Sequence, residues 1–199
     1  MGIGRDYHFR IDDVSVNTDA LKLSGMVKFL RDKMPECRIM VSVSPMVFDM
    51  SACENLLMRE RVFPAMWHTR SDFREFYKMN KVGLPSFLDV LRKTDVEVAS
   101  HGMIHVDHRL LKRSAQEMSI LTSCALLNTA YFVPPFHKFD RRTEKICVDH
   151  RIMIVRYDQS FTHLAYHPFD GRKTSYYFHT HDFTYEDFCS RFPQSIDRR

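Results

Sequence analysis

No stretch of about 18 consecutive apolar residues occurs in this 199-residue chain, so no membrane-spanning helix is expected. Runs of five like charges are also lacking. The 29 Lys and Arg and 25 Asp and Glu leave a formal charge of only +4, and composition gives no reason to expect a nucleic-acid partner. The five cysteines (Cys37, Cys53, Cys124, Cys147 and Cys189) are odd in number and show no CxxC or CxxH spacing. That spacing excludes a zinc ribbon and argues for thiols in a reducing compartment instead of a disulfide frame. Residues 1–6 carry no apolar leader, and Asp6 stands where a myristoylation signal needs Ser or Thr. Repeats, low-complexity segments and linkers are absent as well. The expectation is a soluble, cytoplasmic protein with one domain over residues 1–199, its oligomeric state not legible.

What is present is a balance of 44% hydrophobic and 27% charged residues, ordinary for a chain that buries a substantial core. Short β-branched and aromatic runs alternate with helical patterns. Strands are expected at 7–12, 38–44, 96–100, 130–133, 151–157 and 175–178, with Pro45 and Pro134 stopping two of them. Helical spacing marks 19–33, 85–92, 109–128, 142–148 and 185–192. Strand–helix alternation argues for parallel βαβ units, and strands that end in polar residues favour an α/β barrel over an open sheet.

Eleven histidines are many for this length, and several cluster. Asp12-Asp13 closes the first strand; adjacent carboxylates there project differently, so one can bind a metal while the other faces a water. A turn or helix N-cap is the competing use of such a pair. In Ser100-His101-Gly-Met-Ile-His105 a strand runs straight into what reads as a helix, whose i and i+4 imidazoles share one face and can hold one ion. His108 reads as a supporting or surface residue. Phe132-Val-Pro-Pro-Phe136 forms a rigid turn that either offers a backbone N–H to a substrate or has no chemistry. In Phe178-His-Thr-His-Asp182 one of two alternating histidines points inward, and His181, beside Asp182, is the expected general acid.

Taken in order along residues 9–182, these motifs resemble the NodB-like polysaccharide deacetylases, carbohydrate esterase family four. The most specific piece is Asp12-Asp13 together with His101-x-x-x-His105. The resemblance implies an irregular TIM-like (β/α) barrel of about seven strands and one divalent metal ion. It implies Asp12 as general base, Asp13, His101 and His105 as metal ligands, and His181 as the acid that protonates the departing amine. It places Pro134, Pro135 and Phe136 at the substrate groove, with a backbone N–H for the oxyanion. Zinc is the default for two imidazoles and a carboxylate, though cobalt, nickel, manganese and iron accept the same donors. The implied reaction is removal of an acetyl group from an N-acetylated sugar or glycan precursor.

Three positions depart from the family pattern. The Arg that precedes Pro-Pro, and that tethers the base, falls on Val133; Arg10 and Arg156 are the candidate replacements. His137 stands where a glycine often follows the aromatic residue. The Asp-Trp segment is not recognisable, and Trp67 is the only tryptophan. Two other readings follow: a carbohydrate-binding module of the same fold with impaired turnover, or a mononuclear metalloamidase acting on a non-sugar amide.

Overall fold

The computed structural model describes residues 7–15, 18–45, 84–155, 161–163 and 175–192. Its centre is a seven-stranded sheet whose neighbouring strands all run parallel. The strands are β1 (His8–Ser15), β2 (Arg38–Ser44), β3 (Glu97–Ser100), β4 (Tyr131–Phe132), β5 (Met153–Ile154), β6 (Phe161–His163) and β7 (Ser175–His179). Their order is β5-β4-β3-β2-β1-β7-β6, with β1 near the middle. The helices α1 (Ala20–Lys33), α2 (Leu84–Lys93), α3 (Arg113–Leu127), α4 (Arg141–Asp149) and α5 (Tyr185–Arg191) alternate with the strands. This is the expected α/β class, an irregular TIM-like barrel sheet; among the described residues no ladder joins its end strands β5 and β6.

The period-two alternation of β1 divides its side chains between two environments. Phe9 and Ile11 point to the helices and pack with Leu23, Met26 and Leu30 of α1 and with Phe188 and Phe192 around α5. Arg10 and Asp12 face the other way, into the sheet's inner side, and are almost completely buried. A smaller apolar cluster of Ile120, Cys124, Phe132, Ile146 and Cys147 fixes α3 and α4 to β4. Caps end the helices where the sequence supplies them. Asp19 accepts N–H bonds from Leu21 and Lys22 at the start of α1, and Asp140 forms a capping box with Thr143 at α4; each such cap is worth about 1 kcal/mol.

Four expectations need correction. The first strand does not stop at Asp12-Asp13 but continues to Ser15, past an irregularity between Ile11 and Val14. The histidines at 101 and 105 do not share a helix face, because residues 101–107 form an irregular loop. Gly102 there has φ +79°, in the left-handed region that an L-residue enters at a cost, and a Cβ would sit 2.6 Å from His108 Cε1. The long helix expected over 109–128 divides into a 3-10 turn, His108–Leu110, and α3, with Lys112 as the N-cap of α3. The strand expected over 151–157 is seen at Met153–Ile154, and its last two positions lie outside the described residues. The short strand β6 had no counterpart in the sequence reading. No described helix is long and apolar enough to cross a membrane.

His108 is the packing piece behind this loop. It is fully buried, its Nδ1 lies 3.0 Å from the Val106 carbonyl, and its Nε2 lies 3.1 Å from Ser119 Oγ. Burial pushes its pKa down to about 4, against an ordinary value near 6.5. The unfolded chain therefore binds a proton that the folded one refuses. Stability contributed by neutral His108 is present above about pH 6.5 and is lost as pH falls towards 4, by on the order of 2–3 kcal/mol. Urea midpoints measured between pH 7 and pH 4.5 are expected to fall for the wild type and to flatten in His108→Gln. Parallel profiles for the two proteins would refute this role.

Candidate active site

Two carboxylates adjacent in sequence have separate partners because β1 carries one extra residue here. Ile11 pairs with Val41 and Val14 with Val43, so three steps along β1 match two along β2. Asp13 takes up the slack with φ +57°, a left-handed conformation that Asp tolerates better than most residues. Asp12 stays in the ladder, opposite His179 of β7, and points inward.

Asp12 is held on all sides. Arg10 Nε donates to its Oδ1 and Oδ2 at 2.9 and 3.1 Å, and Arg10 Nη2 to Oδ2 at 2.8 Å. Ser42 Oγ donates to Oδ1 at 2.7 Å. Burial alone would raise the Asp12 carboxyl, but the Arg10 guanidinium, the nearby His101 and the Ser42 hydroxyl hold it below the usual carboxylate range. The tether expected from position 133 is thus supplied by Arg10, two residues before Asp12 on the same strand face. Arg156, the other candidate, lies outside the described residues. Arg10 also lies 5.4 Å from the centroid of the Tyr177 ring, and its Nη2 is 3.4 Å from His137 Nδ1.

Asp13 meets the two histidines of the 101–107 loop. Its Oδ1 lies 3.1 Å from His101 Nε2 and 3.0 Å from His105 Nε2. Burial opposes ionisation of Asp13, yet its contacts with His101 and His105 pull its pKa well below the usual range. His101 Nδ1 lies 2.7 Å from the Val133 carbonyl, an acceptor only, so that nitrogen carries the hydrogen. That contact directs Nε2 at Asp13 Oδ1, the orientation in which an imidazole and a carboxylate can share a cation. Tetrahedral zinc bonds of ~2.0–2.1 Å set neighbouring donors roughly 3.3 Å apart, close to the separations here. Asp13, His101 and His105 fit a metal.

The late motif brings both of its histidines near Asp13. His179 ends β7 with its side chain 22% exposed and its Nε2 3.6 Å from Asp13 Oδ2. Asp182 Oδ2 accepts from the His179 backbone N–H at 2.9 Å and lies 3.0 Å from Nδ1, which fixes the ring. His181, the expected acid, is 65% exposed and stacks on His179 with ring centroids 5.0 Å apart. Of the two, His179 is the less exposed and the better oriented. The register explains this: position 179 continues the inward face of β7, and the chain turns into a 3-10 segment at Thr180.

Pro134 and Pro135 are buried and launch a 3-10 turn in which Phe136 and His137 both have positive φ, 55° and 57°. His137 N–H and Lys138 N–H bond to the carbonyls of Pro134 and Pro135. The half-exposed Phe136 ring meets the His105 ring edge-on at 4.4 Å, forming one wall of the site. His137 takes the position of the missing glycine; burial and Arg10 push its pKa down to about 4, so its ring is neutral at ordinary pH. On the far side of Asp13 a cleft of about 270 Å³ is lined by Ser15, Thr18, Lys22, Thr180 and His181.

The Arg10–Asp12 pair generates a prediction. Arg10→Met leaves a buried carboxylate without a counterion, and a loss of about 3–5 kcal/mol in urea unfolding is expected. Arg10→Lys recovers only part of that loss, since an ammonium cannot make the forked contact. Metal content should be unchanged in Arg10→Lys, because the bonds of Arg10 described above go to Asp12 and not to Asp13, His101 or His105. Wild-type stability in Arg10→Met would disprove the tether.

No protein-family model and no curated protein matches the sequence. Solved structures do match. A family 4 carbohydrate esterase from Streptomyces lividans superposes with a TM-score of 0.60 at 12% identity, over 97% of this chain and 86% of that one. A family 4 pseudoenzyme from Bacillus anthracis gives 0.62 at 13% identity, over 98% of this chain and 62% of that one. A peptidoglycan deacetylase from Bacillus subtilis gives 0.59 at 8% identity, over all of this chain and 87% of that one. Over nearly its whole length, the chain has the fold of the family 4 carbohydrate esterases.

Proposed function

We propose that the chain is a metal-dependent deacetylase that removes the acetyl group from an N-acetylated sugar or glycan precursor. The observation that carries this reading is the convergence of His101 and His105 on Asp13 Oδ1, beside a second carboxylate, Asp12, held by Arg10. A divalent ion held by Asp13, His101 and His105 would supply Lewis acidity to the acetamide carbonyl and to an attacking water. Zinc is the default, with cobalt, nickel, manganese and iron accepted by the same donors.

The chain's own groups do the rest. Asp12 takes the proton of the attacking water at a carboxylate oxygen. The Phe136 N–H, which no acceptor among the described residues engages, is the donor for the oxyanion, placed there by Pro134 and Pro135. His179 delivers a proton from Nε2 to the departing amine, its ring held by Asp182 through Nδ1. We assign the acid role to His179, the less exposed ring and the one held by Asp182, in place of the His181 of the sequence reading. We take residues 1–199 as one catalytic domain working in the cytoplasm, on a soluble or precursor saccharide.

One observation favours a second reading. Both Asp12 oxygens already accept bonds from Arg10 or Ser42, and the lowered pKa makes Asp12 a weak base. The same fold carries a pseudoenzyme. A saccharide-binding protein with little turnover is therefore the alternative.

Acetate release from a panel of N-acetylated saccharides, with metal analysis alongside, separates the two. Asp12→Asn is expected to keep its metal and lose about 10²–10⁴-fold in turnover, the usual cost of removing an acid–base group. Asp13→Asn is expected to lose metal first, with partial rescue by excess metal. Saccharide binding without acetate release by the metal-loaded wild type would establish the alternative. Full activity in Asp12→Asn would end the division of labour between the two aspartates.

A further inference from the structure

Asp13 uses only one of its oxygens on His101 and His105. The other, Oδ2, lies towards His179, which stacks on His181. His179 Nε2 is 3.6 Å from it, and Asp13, His179 and His181 each offer a donor atom within 4.8 Å of the other two. Two donor sets therefore share one carboxylate: Oδ1 meets His101 and His105, Oδ2 lies nearest His179, and His181 completes the second set. We propose that Asp13 is a bridging carboxylate and that its Oδ2, with His179 and His181, forms a second, weaker site for a borderline divalent cation such as zinc.

Three features support the site independently of the first. Asp182 lies 3.0 Å from His179 Nδ1 and accepts its hydrogen, which leaves Nε2 as the nitrogen offered to the cation and fixes the ring's direction. The 3.6 Å separation of Nε2 from Oδ2 is near the roughly 3.3 Å edge expected of two donors on tetrahedral zinc. Access is open, since Asp13 and His181 both line the cleft of about 270 Å³, which leaves room for water to complete the coordination. Two imidazoles and one carboxylate suit zinc, cobalt or nickel, and do not suit magnesium, which prefers oxygen donors. His181 is 65% exposed, whereas His101 is almost fully buried, so the second site is less preorganised and binds more weakly.

The consequence rests on the proposed deacetylase reading. A cation on His179 Nε2 occupies the nitrogen that delivers the proton to the amine. The first equivalent of metal activates and the second inhibits. His181 then has a regulatory part, holding the inhibitory ion, and no part in the reaction itself.

The experiment is a titration of metal-free protein with cobalt(II), followed by calorimetry and by visible absorption. Wild type is expected to take two equivalents, the second at least about tenfold weaker, in keeping with its less supported donors. His181→Ala is expected to take one equivalent with the affinity of the tight wild-type site. Zinc added beyond one equivalent should inhibit acetate release by the wild type but not by His181→Ala, and magnesium should inhibit neither. Saturation of the wild type at one equivalent with both cobalt and zinc would overturn the proposal, as would two undiminished equivalents in His181→Ala. The stoichiometry stands without turnover: two equivalents with no acetate release keep the second site and remove the deacetylase reading. Loss of both equivalents in the wild type would remove both.

Discussion

Everything at this site depends on one surplus residue in β1. A regular strand would send Asp12 and Asp13 to opposite faces of the sheet, and one of them would be buried among the helices. The extra residue between Ile11 and Val14, with Asp13 in the left-handed region, keeps Asp12 on the inner face and swings Asp13 out over the strand ends. The two carboxylates thereby have separate partners at one strand end, Asp12 held by Arg10 and Ser42 and Asp13 by His101 and His105. The bulge costs a ladder bond and some backbone strain, and the site's contacts offset that cost.

The inner face beneath Asp12 is polar where a small barrel would ordinarily be apolar. Arg10, Asp12 and Ser42 lie buried together, and Tyr177 covers the guanidinium. Buried ion pairs are weak contributors to net stability but are costly to break, so this cluster specifies geometry more than it adds free energy. Its hydrogen bonds from Arg10 and Ser42 fix the Asp12 carboxylate in place. Preorganisation of that sort is what proton transfer at a fixed water requires.

Much of this was legible in the sequence, for identifiable reasons. The strand and helix positions followed from apolar periodicity, and Arg38–Ser44 was placed to the residue because a run of Ile, Met and Val stops at a proline. His101 and His105 stood out by residue type and spacing, Asp13 joined them through the resemblance to the family 4 esterases, and the structure brings the three together. The helix expected beneath the two histidines was not there, because an i, i+4 spacing does not reveal the left-handed turn that Gly102 makes. His179 and His181 could not be told apart by alternation, since residues i and i+2 of a strand share a face; what separates them is the turn into a 3-10 segment at Thr180. Arg10 was within reach: residues i and i+2 on a strand share a face, and an Arg two positions before a candidate base is the nearest available counterion. Beta-6 escaped because three residues, Phe161–His163, are too few to show a period.

His101 is held by the carbonyl of Val133, not by a side chain, and that choice of anchor has an evolutionary corollary. A contact made through the main chain survives replacement of the residue that makes it, provided the backbone path is kept. Pro134 and Pro135 keep that path. The side chain at position 133 can therefore change without loosening His101, and the buried guanidinium at position 10 holds Asp12 independently of it. The same logic makes drift at such a site directional: residues whose side chains act can migrate between strands, while those whose peptide groups act must stay where they are.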